Sequence, residues 1–139
     1  MTEFKATIFG YVEGYYGRLL SWEERASIVD ELAAQGFNTY LYGPKDDAKH
    51  RLYWRESYNE NWRRSFREFT QHARSKGVSV IAGIAPGLDF DFNSISVDLS
   101  ETVNDDSNTL LAKARQLIDD GADALCLMMD DIDLSLIHI

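Results

Sequence analysis

Three stretches of this 139-residue chain repeat one pattern: an amphipathic helical stripe, a glycine that stops it, and a short apolar run. The stops are Gly36, Gly77 and Gly121, about 40 residues apart. The first stripe opens on Ser21 with Glu24 three residues on, the spacing of a capping box. Trp22, Ala26, Val29, Leu32 and Ala33 then share one face at helical spacing. The second stripe opens near Asn59 or Asn61 and carries Trp62, Phe66, Phe69 and Ala73. The third carries Leu110, Leu111, Ala114, Leu117 and Ile118. After the glycines come the apolar runs Phe37–Tyr42, Val78–Ile84 and Ala122–Met129, and a further run, Ala6–Val12, precedes the first helix. Runs with little polar alternation suit strands buried on both faces, hence parallel strands covered by helices. The order β-α-β-α-β-α-β predicts an α/β fold, either a doubly wound sheet or a (β/α)8 barrel. The stretch 89–107, rich in Asp, Ser and Asn, predicts a long loop after the third strand.

The length is that of about one domain. Apolar residues at 45% and charged residues at 27% exclude a disordered or collagen-like chain. Cys126 is the only cysteine, so no intramolecular disulfide exists and nothing points to an oxidising compartment. Fourteen basic against twenty-three acidic residues give a formal charge of -9, which argues against nucleic acid and anionic membrane as partners. No apolar run approaches a membrane span, and the start, Met1-Thr2-Glu3-Phe4-Lys5, lacks the basic end and long apolar core of a signal peptide. These features predict an acidic, soluble, cytoplasmic domain; they leave the oligomeric state open.

In parallel α/β folds ligands bind at the carboxyl ends of the strands, and there the unusual residues of this chain gather. Val12-Glu13-Gly14-Tyr15-Tyr16-Gly17-Arg18 follows the first strand, and Gly43-Pro44-Lys45-Asp46-Asp47-Ala48-Lys49-His50-Arg51 the second. Ala85-Pro86-Gly87-Leu88-Asp89 follows the third, and Asp130-Asp131-Ile132-Asp133 the fourth. Asp130 and Asp131 emerge from an apolar wall, Leu125 to Met129. Desolvation and mutual repulsion there should raise one carboxyl above the usual aspartate value of about 3.9. Two carboxyls so separated can serve as one acid and one fixed anion, the pairing glycoside hydrolysis needs. The same residues also read as a helix N-cap or, with Asp133, as a Mg²⁺ site. Lys45, flanked by Asp46 and Asp47, reads either as a solvated ion pair or as a donor to a ligand hydroxyl. Gly14 and Gly17 permit a tight turn or a close backbone approach to a ligand. His50 and His72 show no metal spacing with each other or with Cys126, and no Ser/His/Asp set assembles.

The run Gly10–Arg18, the run Asn38–Asp47, Lys49-His50-Arg51 with Trp54-Arg55-Glu56, Pro86-Gly87-Leu88-Asp89 and Asp130-Asp131-Ile132-Asp133 together resemble glycoside hydrolase family 84. That family holds protein O-GlcNAcases and bacterial β-N-acetylglucosaminidases, some described as hyaluronidases. The match covers nearly all of residues 8–133, in order; Leu19-Leu20 departs from it, where the family commonly has Pro-Trp. The resemblance implies a (β/α)8 TIM barrel of which about the first four βα units are present, as the N-terminal half of a catalytic domain over residues 5–133. It further implies removal of terminal β-linked N-acetylglucosamine by a retaining, substrate-assisted mechanism, in which the sugar's own acetamido oxygen attacks the anomeric carbon. Carried over by position, Asp131 is the general acid/base, and Asp130 orients the acetamido group and stabilises the oxazoline-like intermediate. Gly14 and Lys45 bind sugar hydroxyls. No cofactor or metal is implied, and the partner is an N-acetylglucosamine-containing glycoconjugate. The alternative is a non-catalytic, barrel-derived sugar-binding or structural module, which would have no need of Asp131.

The last six residues, Leu134-Ser135-Leu136-Ile137-His138-Ile139, match nothing expected after the aspartate motif. They are what CTGTCTCTTATACACATC encodes, the mosaic-end adapter of transposon-made sequencing libraries. The expectation is that native sequence ends near Asp133, and any other codon choice at the 3′ end would refute it.

Overall fold

A computed structural model describes residues 7–92 and 105–130. The predicted order is found: β1 Gly10–Glu13, α1 Trp22–Ala34, β2 Thr39–Tyr42, α2 Glu60–Ser75, β3 Ser79–Ile84, α3 Asp105–Asp119 and β4 Ala124–Leu127. The four strands form one parallel sheet in the order β1-β2-β3-β4. The strands β2, β3 and β4 are shorter than the apolar runs that supply them, whose end residues lead into and out of the sheet without joining it.

Register separates the two faces. Tyr11, Tyr40 and Val80 align across β1 to β3, as do Glu13, Tyr42, Ala82 and Leu125 across all four strands. This face carries the core: Tyr40, Tyr42, Val80, Ala82 and Ile84 pack with Val29 of α1, Phe66, Phe69 and Ala73 of α2, and Leu117 of α3. Aromatic rings cement it, with Trp22 stacked on Tyr42 and Phe69 edge-on to Tyr40 at 5.1 Å. Gly10, Val12, Leu41, Ile81, Gly83 and Cys126 lie on the other face. Strands adjacent in sequence and in space, with all three helices over one face, are the arrangement of a barrel wall. A doubly wound sheet would reverse its strand order and place helices on both faces. The expectation of burial on both faces holds for the middle of the sheet only. Val12 is 58% and Leu127 53% exposed, because β1 and β4 are the outer strands of the described sheet.

Local signals place the helices. Ser21 caps α1 in a reciprocal box: its hydroxyl accepts from the Glu24 N–H, and the Glu24 carboxylate accepts from the Ser21 N–H. Asn59 caps α2 through the Trp62 N–H. Gly36, Gly77 and Gly121 all take positive φ just past a helix end, as expected of helix-stopping glycines.

In α3 the apolar stripe is only half right. Leu117 is buried, but Leu111 and Ile118 are exposed, while Asp106, Lys113 and Asp120 are buried instead. The cause is what α3 faces. Asp120 takes Arg63 and Arg67 of α2, Asp106 takes Arg55, and Gln116 takes the backbone of Tyr58. A polar seam at spacings of seven, three and four joins α3 to α2 and to the segment before it. Of the long loop expected over 89–107, residues 93–104 lie outside the described residues, and α3 already begins at Asp105.

Candidate active site

Each strand hands its last residues to the same rim. Lys45 lies three residues beyond β2 and Asp130 three beyond β4, and the Lys45 ammonium pairs with the Asp130 carboxylate across the intervening β3. Lys45 is 12% exposed and Asp130 51%, so the pair sits with its anion toward solvent. The hydrogen bond and charge of Lys45 hold Asp130 below the usual aspartate range, against a smaller opposing push from burial. A raised carboxyl, expected at one of the two aspartates, is therefore not Asp130. Asp131 and Asp133 lie outside the described residues, as do residues 134–139.

Lys45 is not paired with the aspartates that flank it in sequence. Asp46 accepts from the Gly17 N–H at 2.6 Å, which ties the β2 loop to the β1 loop. Asp47 is buried and accepts from the Tyr42 hydroxyl at 2.6 Å, the Tyr58 hydroxyl at 2.7 Å and the Lys49 N–H at 3.0 Å. Three consecutive side chains thus fasten to three different parts of the fold. The Lys45 N–H adds a fourth link, donating to the Tyr15 carbonyl.

Gly14 is half-buried at the end of β1, and a Cβ there would press to 3.1 Å on a Val12 methyl. The left-handed turn in that loop belongs to Gly17, φ +116, whose N–H is the one Asp46 holds. Glu13, read with the rim loop in sequence, points the other way. It is fully buried on the helix face, where Arg25 of α1 donates to it at 2.9 and 3.0 Å and Tyr40 at 2.7 Å. The Arg25 guanidinium also lies over the Trp22 and Tyr42 rings.

His50, which carried no role in sequence, lies in the same region as the ion pair. It is fully buried. Its Nδ1 donates to the Gly83 carbonyl at 2.7 Å, and its own carbonyl accepts from the Ala85 N–H. Burial keeps the imidazole below its ordinary pKa and therefore neutral, and among the described residues Nε2 has no hydrogen-bond partner. A Cβ on Gly43 or Gly83 would meet the His50 ring at 3.3 or 3.0 Å and the Met128 methyl at 2.8 or 2.9 Å. Those glycines are what let His50 and Met128 close the sheet end. Sequence signalled this only through the bare glycines at two strand ends.

Beyond β3, Asp89 accepts from the Trp54 indole N–H at 2.8 Å and from Arg55 at 2.7 Å, and Arg55 bridges to Asp106. The described rim thus offers an ammonium, a carboxylate held ionised, and backbone groups around glycine. That set suits a polar, hydroxyl-rich ligand. Among the described residues no helix is long and apolar enough to cross a membrane.

Comparison with known proteins agrees with the resemblance. Residues 9–139 match the family model described as beta-N-acetylglucosaminidase. The chain is 36% identical over 124 residues to the Protein O-GlcNAcase of Rattus norvegicus and equally to that of Mus musculus. These alignments cover 89% of this chain but 13% of each relative. The structure superposes on that of an O-GlcNAc hydrolase mutant from Thermobaculum terrenum with a TM-score of 0.80 at 30% identity. That match covers 94% of this chain and 26% of the other. The chain therefore spans a small part of the proteins it matches, and that part holds four parallel strands of the barrel. On this sequence and structural agreement, the chain belongs to the β-N-acetylglucosaminidase family, glycoside hydrolase family 84.

Proposed function

We propose that the full-length protein removes terminal β-linked N-acetylglucosamine from a glycoconjugate with retention of configuration, the substrate's acetamido oxygen acting as nucleophile. The observation that carries this reading is the Lys45–Asp130 pair: an aspartate at the end of β4 kept ionised by a lysine from β2. A substrate-assisted reaction needs such a fixed anion. It must accept the acetamido N–H, turn the carbonyl oxygen toward the anomeric carbon, and stabilise the positive charge that forms on the ring closing there. It must not pick up a proton itself, and Lys45 opposes that. An ammonium has three donors and a carboxylate two oxygens, so Lys45 can hold a sugar hydroxyl and Asp130 the acetamido N–H while they remain paired. Gly14 supplies backbone to a second hydroxyl. Asp131, the next residue, is then the general acid that protonates the leaving oxygen and the base that deprotonates water in the second step.

The test is leaving-group dependence in the full-length enzyme. Asp131→Asn lowers kcat/KM by ~10²–10⁴ on glycosides with poor leaving groups, the usual worth of a general acid/base. The loss shrinks on aryl glycosides whose phenols leave without a proton. Asp130→Asn hurts both classes, since it weakens the attack itself. Equal losses for Asp131→Asn across leaving groups of different acidity would overturn the assignment.

A further inference from the structure

Two buried charged groups of α3 reach the segment carrying the site: Asp106 holds the Arg55 side chain, and Lys113 holds the segment's backbone. Lys113 is 3% exposed. Its ammonium donates to the carbonyl of Lys49 at 2.9 Å and to that of Glu56, and it lies 4.1 Å from the centre of the Tyr58 ring. All three belong to the stretch between β2 and α2 that also holds Lys45, Asp47 and His50. Gln116, one turn further along α3, doubles the hold: it accepts from the Tyr58 N–H at 2.9 Å and donates to the Tyr58 carbonyl at 3.1 Å. From Tyr58 the contact runs on through its hydroxyl to Asp47, two residues from Lys45.

Burying an ammonium is costly unless its donors are used. Here burial draws Lys113 down to about 8, with Lys49 adding to the fall and Asp47 and Glu56 opposing it. An apolar side chain could fill the same space without that cost, but it could not hold two backbone carbonyls of an irregular segment. We propose that Lys113 is a positioning residue for the site, fixing the β2–α2 segment on α3 and so setting Lys45 against Asp130. The inference rests on the reading of Lys45 as a sugar-binding donor.

The experiment uses the full-length protein with Lys113→Met, measured by steady-state hydrolysis of an aryl β-N-acetylglucosaminide and by amide hydrogen exchange. The expected result is a KM raised about tenfold with kcat changed less than about twofold, the pattern of lost uniform binding. Amides over residues 49–58 should exchange about tenfold faster, while those of α1 and β3 keep their rates. An unchanged KM with unchanged exchange over 49–58 overturns the proposal. Equal acceleration in α1 and β3 overturns it too, since that is general loss of stability. If Lys113→Met does not fold, Lys113→Gln retains an uncharged donor and should show the same pattern with smaller amplitude. A folded wild-type protein that hydrolyses no such glycoside refutes the proposed function, yet exchange over 49–58 still decides whether Lys113 holds the segment.

Discussion

At Asp130 two opposing effects meet, and the stronger decides the charge. Burial raises the carboxyl while the Lys45 hydrogen bond and charge lower it, and Lys45 wins. Removing Lys45 leaves burial unopposed by its main rival, so the carboxyl of Asp130 moves up. Lys45→Met should therefore shift the acidic limb of the kcat/KM profile to higher pH. It should also lower the plateau roughly ten- to a hundredfold, the worth of a hydrogen bond to a charged group. The sign follows from the direction: a lowered aspartate is ionised at pH values where the variant's is already part-protonated. An acidic limb unmoved in Lys45→Met would contradict the pairing. Of these residues, Lys45, Gly14 and Asp130 were legible because each follows an apolar run by a few positions, and strand ends place such residues at one rim. Asp47 and His50 were not, because their partners are a tyrosine hydroxyl and a backbone carbonyl 11 and 33 positions away. No spacing rule links such distant groups.

Among the elements, α1 and β1 are joined by charge as much as by apolar contact. Glu13 and Arg25 are both fully or nearly buried, and each satisfies the other. Arg25→Met should destabilise the full-length protein by about 3–5 kcal/mol, because it strands a buried carboxylate. The double variant Glu13→Gln with Arg25→Met should lose less than that single one, since no unpaired charge remains. Chemical denaturation of the two proteins checks this, and a double variant worse than Arg25→Met would refute the account. The helix itself was readable from Ser21 and Glu24, whose box is purely local, whereas the salt bridge was not. Glu13 sits beside Gly14 in sequence and looks like part of the rim; strand alternation puts its side chain on the opposite face. Helix α3 misled in the same way. Its apolar residues suggest one buried side, but the arginines of α2 and the backbone of the preceding segment demand a polar one.

At the scale of the whole fold, the sheet formed by the described residues is open where a barrel would close. Among the described residues β1 and β4 each pair on one side only, and Val12, Leu125 and Leu127 stand exposed on them. Unpaired N–H and C=O groups beside exposed apolar side chains are a template for association. Residues 1–133 expressed alone should therefore be poorly soluble and inactive towards a fluorogenic β-N-acetylglucosaminide, since a partial pocket cannot preorganise the acetamido group. A soluble monomer with a cooperative melt and appreciable turnover would show otherwise. The α/β class and the order of elements were legible because glycine stops and apolar runs alternate without interruption. The choice of barrel over doubly wound sheet was legible in the rim motifs and their family resemblance but not in the pattern of elements, since it depends on which face the helices cover, a long-range property that register and packing decide. The open edges also have a consequence in time. A complete barrel needs about 250 residues, and ribosomes add roughly 5–20 residues per second. For roughly 5–20 s of each synthesis, then, this segment has left or is leaving the ribosome while the strands that would seal β1 and β4 do not yet exist. During that interval the two edges are open to pairing with any other chain that meets them.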